Sequence, residues 1–359
     1  MTEVRRRVDA AWLKQAPLRD LLGALDRAGE EARVVGGAVR NALLGEPLGD
    51  IDIATTALPE EVIRRVEAAG FKAVPTGIEH GTVHDYAGGL ADIAARHVRF
   101  IGDADKRIAE DYLRILRFFR FHAAYGEGAL DPEGLAACIA ARAGLDRLSR
   151  ERVRMEAFKL LVARHAVPTL ATMTETGLLE QVLGGVPLLA SFANMAKLEA
   201  AFACAPDPVR RLGALAVSVV EDAERLRERL RLANAEYERL ASMADAWWRI
   251  SRQWDEAAGR ALLYRLGHER FVDRVLLAWT RAPEGAADPS WRALVTLPAR
   301  WSAPTFPLKA ADFMSRGVSK GPRLGAVLRA AEEAWIAEGF PHDAASLAAI
   351  AERALAATE

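Results

Sequence analysis

Two neighbouring glycines near the start of the chain, Gly36 and Gly37, follow a short apolar segment and open a predicted helix. Glycines at such a turn let the backbone approach a phosphate closely, and the first N–H groups of the helix carry a partial positive charge. Arg40 comes one turn later and could pair with the same phosphate. The third glycine of a dinucleotide fingerprint and the Lys-Ser/Thr of a P-loop are both missing. The segment therefore predicts another kind of phosphate-binding turn, or an ordinary turn if it is taken alone.

Asp50 and Asp52 follow on the next predicted strand. Side chains at i and i+2 of a strand project from one face, and the repulsion between two carboxylates is relieved when they share a divalent cation. Hard oxygen ligands of this kind suit Mg²⁺ together with a nucleoside triphosphate. An isolated pair could also form a solvated strand edge. Because the pair follows a Gly-Gly turn closely, we interpret Asp50 and Asp52 as catalytic residues and Mg²⁺ ligands of a nucleotidyl transferase.

A third polar group lies on a helix predicted over 106–124. It consists of Asp111, Arg114, Arg117 and Arg120. A spacing of three residues places these side chains on one ridge of the helix, where a carboxylate acceptor beside guanidinium donors can imitate the edge of a template base. A salt-bridged surface helix is the alternative interpretation. Apolar residues at helical spacing already provide a buried face, so the ridge is open for a ligand.

A small α/β unit is needed to position these residues, and the first part of the chain predicts one. Its pattern predicts helices over 8–29, 38–44 and 59–69 and strands around 33–35, 50–54, 71–74 and 81–83. After residue 89, segments rich in Ala, Leu and Arg with a period of 3.6 residues predict helices throughout, beginning with 106–124, 132–143 and 149–165. The expected fold class is α+β, with a small mixed-sheet head followed by a long all-helical region.

The composition is that of an ordinary globular protein. The 359 residues include 48 Lys and Arg against 49 Asp and Glu, and 51% are hydrophobic, which excludes a disordered or collagen-like chain. Near neutrality argues against a globally basic nucleic-acid binder but allows a local basic stripe. Two cysteines cannot form a disulfide framework. Without a long apolar run or a secretory signal, the expected location is the cytosol.

Several segments resemble the class II bacterial family of CCA-adding tRNA nucleotidyltransferases and poly(A) polymerases, within the polymerase β superfamily. In order along the chain they are residues 35–44, 48–55, 99–103, 107–121, 148–156 and 317–325. The last of them is similar to the tail of alphaproteobacterial members. Prolines and small residues cluster near residues 95, 167–168 and 303–304, so we expect domain boundaries there. With these boundaries the resemblance implies a polymerase-β-like nucleotidyltransferase head at 1–94, a base-recognising neck at 95–167, a helical body at 168–303 and an RNA-binding helical tail at 304–359.

The resemblance also implies an activity and a set of site residues. The activity is transfer of CMP and AMP from CTP and ATP to a tRNA 3′ end, with release of pyrophosphate, Mg²⁺ as cofactor and no membrane involved. The nucleotide-binding residues that it implies are Gly36, Gly37, Arg40, Glu110, Asp111, Arg114, Arg117 and Arg120. In the family, the positions of Glu110, Asp111 and Arg114 select the base without a nucleic-acid template. Arg117 and Arg120 resemble positions that hold the triphosphate and the base stack.

The chain departs from the family inside the head. After a segment like 81–83, family members continue into further strands that carry another carboxylate and an Arg-Arg-Asp motif contacting the sugar. Here Val83 and His84 lead directly into the loop that resembles the family's Asp-x-x-Gly-Gly-Leu-x-Asp, at 85–92, and several dozen expected residues are missing. The superfamily's two-metal site normally uses three carboxylates. Glu79 and Asp85 are the nearest substitutes, and the shorter head predicts impaired catalysis.

Three functions remain open from the sequence. The first is a CCA-adding tRNA nucleotidyltransferase, and the second is a poly(A) polymerase with the same fold and the same pair of aspartates. The third is a non-catalytic RNA-binding remnant, which the missing segment favours. The sequence of the product formed on a tRNA lacking its 3′ end distinguishes all three.

Overall fold

The computed structural model describes residues 11–27, 29–71 and 89–358. The described residues form two compact units. The head unit contains the residues up to Ile101 together with Gly126–Asp131, and the helical unit contains Gly102–Tyr125 and the residues from Pro132 onward. Among the described residues, no helix is both long enough and apolar enough to cross a bilayer.

The described part of the head unit begins with helices and holds one small sheet. Its elements are a 3₁₀ helix at Ala11–Lys14, α1 at Ala16–Leu25, β1 at Ala32–Val35, α2 at Gly37–Leu44, β2 at Asp52–Thr55, α3 at Pro59–Ala68 and α4 at Gly89–Ala94. The helix predicted over 8–29 is interrupted at Gln15, because Pro17 starts a new helix more readily than it continues one. The predicted strand at 81–83 and most of that at 71–74 lie outside the described residues.

The two described strands pair antiparallel, with Val35 opposite Asp52 and Val34 opposite Ile53. The prediction that Asp50 lies within the second strand is wrong, since β2 begins at Asp52. The reason is that β1 ends at Val35, where Gly36 turns the chain into α2. Residues before Asp52 therefore have no strand residue on β1 to pair with.

The helical unit carries the rest of the secondary structure. Its helices are α5 at Ala104–Glu110, α6 at Leu113–Tyr125, α7 at Pro132–Ala140, α8 at Arg150–Leu161, α9 at Ala166–Glu175, α10 at Leu178–Leu183, α11 at Leu189–Ala201, α12 at Pro208–Ala216, α13 at Val220–Leu230, α14 at Asn234–Ala244, α15 at Glu256–Thr280, α16 at Pro289–Val295, α17 at Leu297–Arg300, α18 at Ala310–Met314, α19 at Pro322–Ala337 and α20 at Ala344–Ala356. Short 3₁₀ helices lie at Arg142–Arg147 and Trp247–Arg249.

The cores of the helical unit are apolar, with one buried group of ion pairs. Helix α6 buries Ile115 and Phe119 and packs mainly against α8 and α9. Deeper in the unit, the fully buried Asp273 carboxylate lies 2.7 Å from Arg210 and 2.8 Å from Arg239. Burial raises the pKa of Asp273 above its ordinary value in spite of these two guanidinium groups. Removing one partner of such a group would leave a buried charge uncompensated.

Helix α15 changes direction at Gly267, whose φ of 73° and ψ of 173° are not helical. Glycine is the residue that adopts this conformation at little cost. Before the bend, Tyr264 contacts the ring of Trp335 at 5.5 Å in the C-terminal hydrophobic cluster. After the bend, the ring of Trp279 stacks on that of Trp291 at 5.9 Å.

Candidate active-site residues in the two units

The Gly-Gly turn of the head unit has the local geometry that the sequence predicts. Gly36 has a φ of 67° and immediately precedes α2, whose first residue is Gly37. The fully buried Ala38 anchors the first turn of this helix. The guanidinium group of Arg40 lies back over the turn, since a Cβ atom built on Gly37 would lie 3.5 Å from Arg40 Nη2. Two nitrogens of Arg40 donate to Asn41 Oδ1, at 3.1 and 2.9 Å.

Asp52 lies directly beside this turn. The pairing of Val35 with Asp52 brings the carboxylate next to Gly36, and a Cβ atom on Gly36 would lie 3.1 Å from Asp52 Oδ2. Glycine is therefore required here by backbone conformation and also by the space that the carboxylate occupies. Sequence analysis assigned both residues but missed their contact, because the contact depends on strand register.

Asp50 lies in the connection between α2 and β2, and both Asp50 and Asp52 are exposed. Among the described residues, no three His, Cys, Asp or Glu side chains are grouped closely enough to hold a metal ion. Two exposed carboxylates nevertheless provide the hard oxygen donors that Mg²⁺ accepts, with water and phosphate oxygens completing six ligands. The substitute carboxylates Glu79 and Asp85 lie outside the described residues.

In the helical unit, the prediction of a single helix over 106–124 is wrong, because the helix is interrupted at Asp111. Helix α5 ends at Glu110, Asp111 is extended with φ −156° and ψ 107°, and α6 begins at Leu113. Asp111 Oδ1 accepts a hydrogen bond from Leu113 N at 3.0 Å, so this side chain caps the new helix. Short polar side chains compete for backbone N–H groups in this way and so favour helix ends. Asp111 therefore does not share a helical ridge with Arg114.

The other carboxylate oxygen of Asp111 pairs with a residue from α8. Arg152 Nη2 donates to Asp111 Oδ2 at 2.7 Å. Burial by itself raises the pKa of the Asp111 carboxyl, but the bonds from Leu113 N–H and from Arg152 outweigh burial and hold this pKa below its ordinary value. The carboxylate is therefore charged and fixed in orientation at neutral pH.

Glu110 and Arg114 form a second group at the same helix break. Arg114 donates to the carboxylate of Glu110 and, at 2.5 Å, to the carbonyl of Arg107. Arg107 Nη1 donates to the same carboxylate oxygen of Glu110 at 2.6 Å. The hydrogen bonds from Arg114 and Arg107 hold the pKa of Glu110 below its ordinary value. Arg114 is thus held by neighbouring groups while part of its side chain stays exposed.

Arg117 and Arg120 lie further along α6 and differ in environment. Arg117 is exposed, with its guanidinium carbon 5.7 Å from the centre of the Phe121 ring. Arg120 lies closer to the same ring, at 4.1 Å, and its Nε lies 2.6 Å from Glu156 Oε2 in a largely buried ion pair. Arg117 is therefore open for a ligand, whereas Arg120 is held between α6 and α8.

Helix α8 supports this region through two residues that sequence analysis did not assign to the site. Arg152 and Glu156 are four residues apart, so they project from one face of α8. Arg152 reaches Asp111, which precedes α6, and Glu156 reaches Arg120 on α6. The signal was present in the family-like segment 148–156, but only the packing of α8 on α6 shows which residues these side chains contact. The hydroxyl of Ser149 caps the start of α8, since it accepts from Arg152 N at 3.4 Å.

Two family models match the chain. One, described as the poly A polymerase head domain, matches residues 32–87, which include the Gly-Gly turn and both aspartates. The other, described as the probable RNA and SrmB-binding site of polymerase A, matches residues 129–192, which include α8.

Similar proteins extend the match along the chain. The human mitochondrial CCA tRNA nucleotidyltransferase 1 is 27% identical over 383 residues, covering 90% of this chain and 87% of the human protein. The CCA-adding enzyme of Limosilactobacillus fermentum is also 27% identical, and the alignment covers 87% of this chain and 90% of that enzyme. The human alignment is longer than this whole chain of 359 residues, so it includes positions at which this chain has no residue.

The fold has solved counterparts. The crystal structure of the Bacillus stearothermophilus CCA-adding enzyme in complex with CTP aligns with a TM-score of 0.72 at 24% identity, covering 94% of this chain and 98% of that one. This likeness shows the fold. The two family models and the relatives support the family of CCA-adding nucleotidyltransferases and poly(A) polymerases.

Proposed function

We propose that this protein is a CCA-adding tRNA nucleotidyltransferase, which adds CMP and AMP from CTP and ATP to the 3′ end of tRNA and releases pyrophosphate. The observation that carries the proposal is the contact between the Asp52 carboxylate and the Gly36 turn at the start of α2. It puts a candidate metal ligand beside a phosphate-binding turn, in a chain whose relatives along almost all of its length are CCA-adding enzymes.

In this mechanism Gly36, Gly37 and Arg40 hold the triphosphate, through the N-terminus of α2 and a guanidinium fork. Asp50 and Asp52 hold Mg²⁺ on the exposed side of the same turn. When bound, Mg²⁺ supplies neutralisation of the triphosphate charge and a lower pKa for the attacking 3′-hydroxyl. The two aspartates therefore act as charged oxygen ligands.

Asp111 and Arg114 select the base, with Glu110 orienting Arg114. Cytosine and adenine both carry an exocyclic amino group where uracil and guanine carry a carbonyl oxygen. A carboxylate that stays charged accepts from the amino group and repels the carbonyl, while Arg114 donates to the acceptors beside it. Support for this proposal comes from the orientation of Asp111, which Leu113 and Arg152 fix before any nucleotide binds. Arg117 and Arg120 flank the bound nucleotide.

The test is the sequence of the product. We would incubate the purified chain with a tRNA lacking its 3′ CCA, MgCl₂, CTP and ATP, and sequence the new 3′ ends, with UTP and GTP alone as the control reaction. The proposal predicts CCA ends and no extension in the control. Ends that carry only adenosines would identify a poly(A) polymerase instead, an alternative that the description of the head-domain match favours. RNA binding without any extension would identify a non-catalytic remnant.

A further inference from the structure

A cleft of about 830 Å³ opens in the helical unit, where the start of α8 meets α13 and α14. It is distinct from the region of Asp111 and Arg114. Its polar lining consists of three arginines, two glutamates and a tyrosine, namely Arg150, Arg227, Arg231, Glu224, Glu228 and Tyr237. The site residues assigned above do not line it, so the nucleotide chemistry gives no reason for its charge.

One of the arginines is pre-oriented by an aromatic ring. The guanidinium carbon of Arg227 lies 4.5 Å from the centre of the Tyr237 ring, and Nη2 donates to Asn234 Oδ1 at 3.1 Å. Stacking and this single bond fix the guanidinium plane and leave its other N–H groups available. A planar fork held in this way loses less conformational entropy when it binds a phosphate.

The end of α13 is fixed as well. Arg231 caps this helix in the left-handed conformation, with a φ of 49°, and its carbonyl oxygen accepts from Arg154 Nη1 at 2.7 Å. Arg154 also pairs with Glu236 at 3.0 Å, so one side chain of α8 connects to both α13 and α14. The exposed side chain of Arg231 therefore projects from an anchored backbone.

The cationic side chains are not neutralised within the cleft. Glu224 and Glu228 precede Arg227 and Arg231 by three residues, a spacing at which surface helices often form ion pairs. Yet within the described part of the chain, no carboxylate lies within 4.0 Å of the guanidinium groups of Arg150, Arg227 or Arg231. Arg227 turns instead to Tyr237 and Asn234. The described lining of the cleft therefore contains three guanidinium groups that form no ion pair, together with two carboxylates.

We propose that this cleft binds phosphates of an RNA backbone, at a position separate from the residues that bind the incoming nucleotide. Arg227 and Arg231 are four residues apart, about 6 Å along the helix axis, and Arg150 adds a third cation from another helix. A row of guanidinium groups in an open cleft suits consecutive phosphates of a strand, and the Tyr237 ring offers a face beside them. The inference rests on the proposed function, because it takes the RNA to be the tRNA substrate.

The experiment compares tRNA binding by two double variants that remove the same charge. Arg227→Gln with Arg231→Gln removes two cations from the cleft, whereas Arg252→Gln with Arg265→Gln removes two exposed arginines elsewhere that pair with Glu284 and Glu333. The titrations use a tRNA lacking its 3′ CCA at several salt concentrations. Each lost phosphate contact lowers the slope of log K against log salt by about one. We therefore expect the cleft variant to bind more weakly, with a slope smaller by about two, and the control variant to behave like the parent protein.

Two results would overturn the cleft proposal while leaving the proposed function intact. One is a cleft variant that binds tRNA with the affinity and salt slope of the parent, while the parent still extends tRNA. The other is unchanged tRNA binding together with weaker binding of inorganic pyrophosphate, which would make the cleft a site for small polyphosphates. A parent protein that binds no tRNA at any salt concentration would contradict both the cleft proposal and the proposed function.

Discussion

At the scale of single residues, the candidate site of the head unit is organised by the contact between Gly36 and Asp52. The two residues are sixteen positions apart in sequence, yet the register of β1 and β2 brings them together. A phosphate-binding turn and a metal ligand must be close if they are to act on one triphosphate. A substitution that disturbs only this contact therefore tests the role of the candidate site in the head unit.

We predict that Gly36→Ala lowers nucleotide incorporation much more than Gly45→Ala does. Both glycines have positive φ, of 67° and 70°, so both substitutions introduce backbone strain of about 1–3 kcal/mol. Only at Gly36 does the new Cβ meet another group, Asp52 Oδ2 at 3.1 Å, whereas Gly45 has nothing within 4 Å. The measurements are thermal unfolding and incorporation rate for both variants. Equal losses of incorporation at equal stability would mean that displacement of the carboxylate does not matter.

The residue types of this site could be predicted from the sequence, but their contacts could not. Gly36, Gly37, Arg40 and Asp52 were each assigned from spacing. Spacing along the chain does not determine which residues of two strands lie opposite each other, and a shift of one residue would have moved Asp52 to the other face. For the same reason the sequence could not show that β2 begins at Asp52 and leaves Asp50 outside the strand.

At the scale of elements, the break between α5 and α6 shapes the region that we propose selects the base. Two contacts hold this break. Arg152 pairs with Asp111, and the ring of Tyr112 packs so closely against Gly144 that any Cβ there would lie 1.9 Å from it. Helical periodicity predicted one straight helix because the apolar spacing continues across the break. The capping preference of Asp111 overrides that periodicity, and only tertiary contacts show that it does so.

We predict that Arg152→Ala weakens nucleotide selection, since the Asp111 carboxylate loses one of the two groups that orient it. The expected result is better incorporation of UMP and GMP relative to CMP and AMP, with partial recovery in Arg152→Lys, which keeps the charge but not the planar fork. Incorporation of all four nucleotides is measured at matched folded fractions. An unchanged preference order in Arg152→Ala would show that the pair only stabilises the fold.

We also predict that the difference in stability between the parent and Arg152→Ala depends on pH. The pKa of Asp111 is depressed in the folded protein, so its contribution to stability is fully present above the unfolded pKa, near about 4, and is lost as pH falls through the folded pKa. For a partly exposed pair we expect a difference in unfolding free energy of at most about 1 kcal/mol. Denaturant titrations should show this difference constant from about pH 6 to 8 and smaller below about pH 4.

At the scale of the whole molecule, the fold class and the order of helices could be predicted well. The long helical region follows from its Ala- and Leu-rich periodicity, and the helical unit indeed carries most of the structure. What the sequence could not provide is the set of long-range polar contacts, such as those of Asp273 with Arg210 and Arg239. These residues are 63 and 34 positions apart, so no local pattern connects them.

The most direct test of the central claim, that the head carboxylates carry nucleotidyl transfer, is single-turnover addition of CMP to a tRNA lacking its 3′ CCA. The comparison is between the parent protein, Asp52→Asn and Glu60→Gln, which neutralises an exposed carboxylate on α3 in the same unit. Because a metal ligand supplies several kcal/mol to the transition state, we predict that Asp52→Asn is slower by at least about a hundredfold, while Glu60→Gln matches the parent. Addition of CMP by Asp52→Asn at the rate of the parent, in the presence of MgCl₂, would contradict the account.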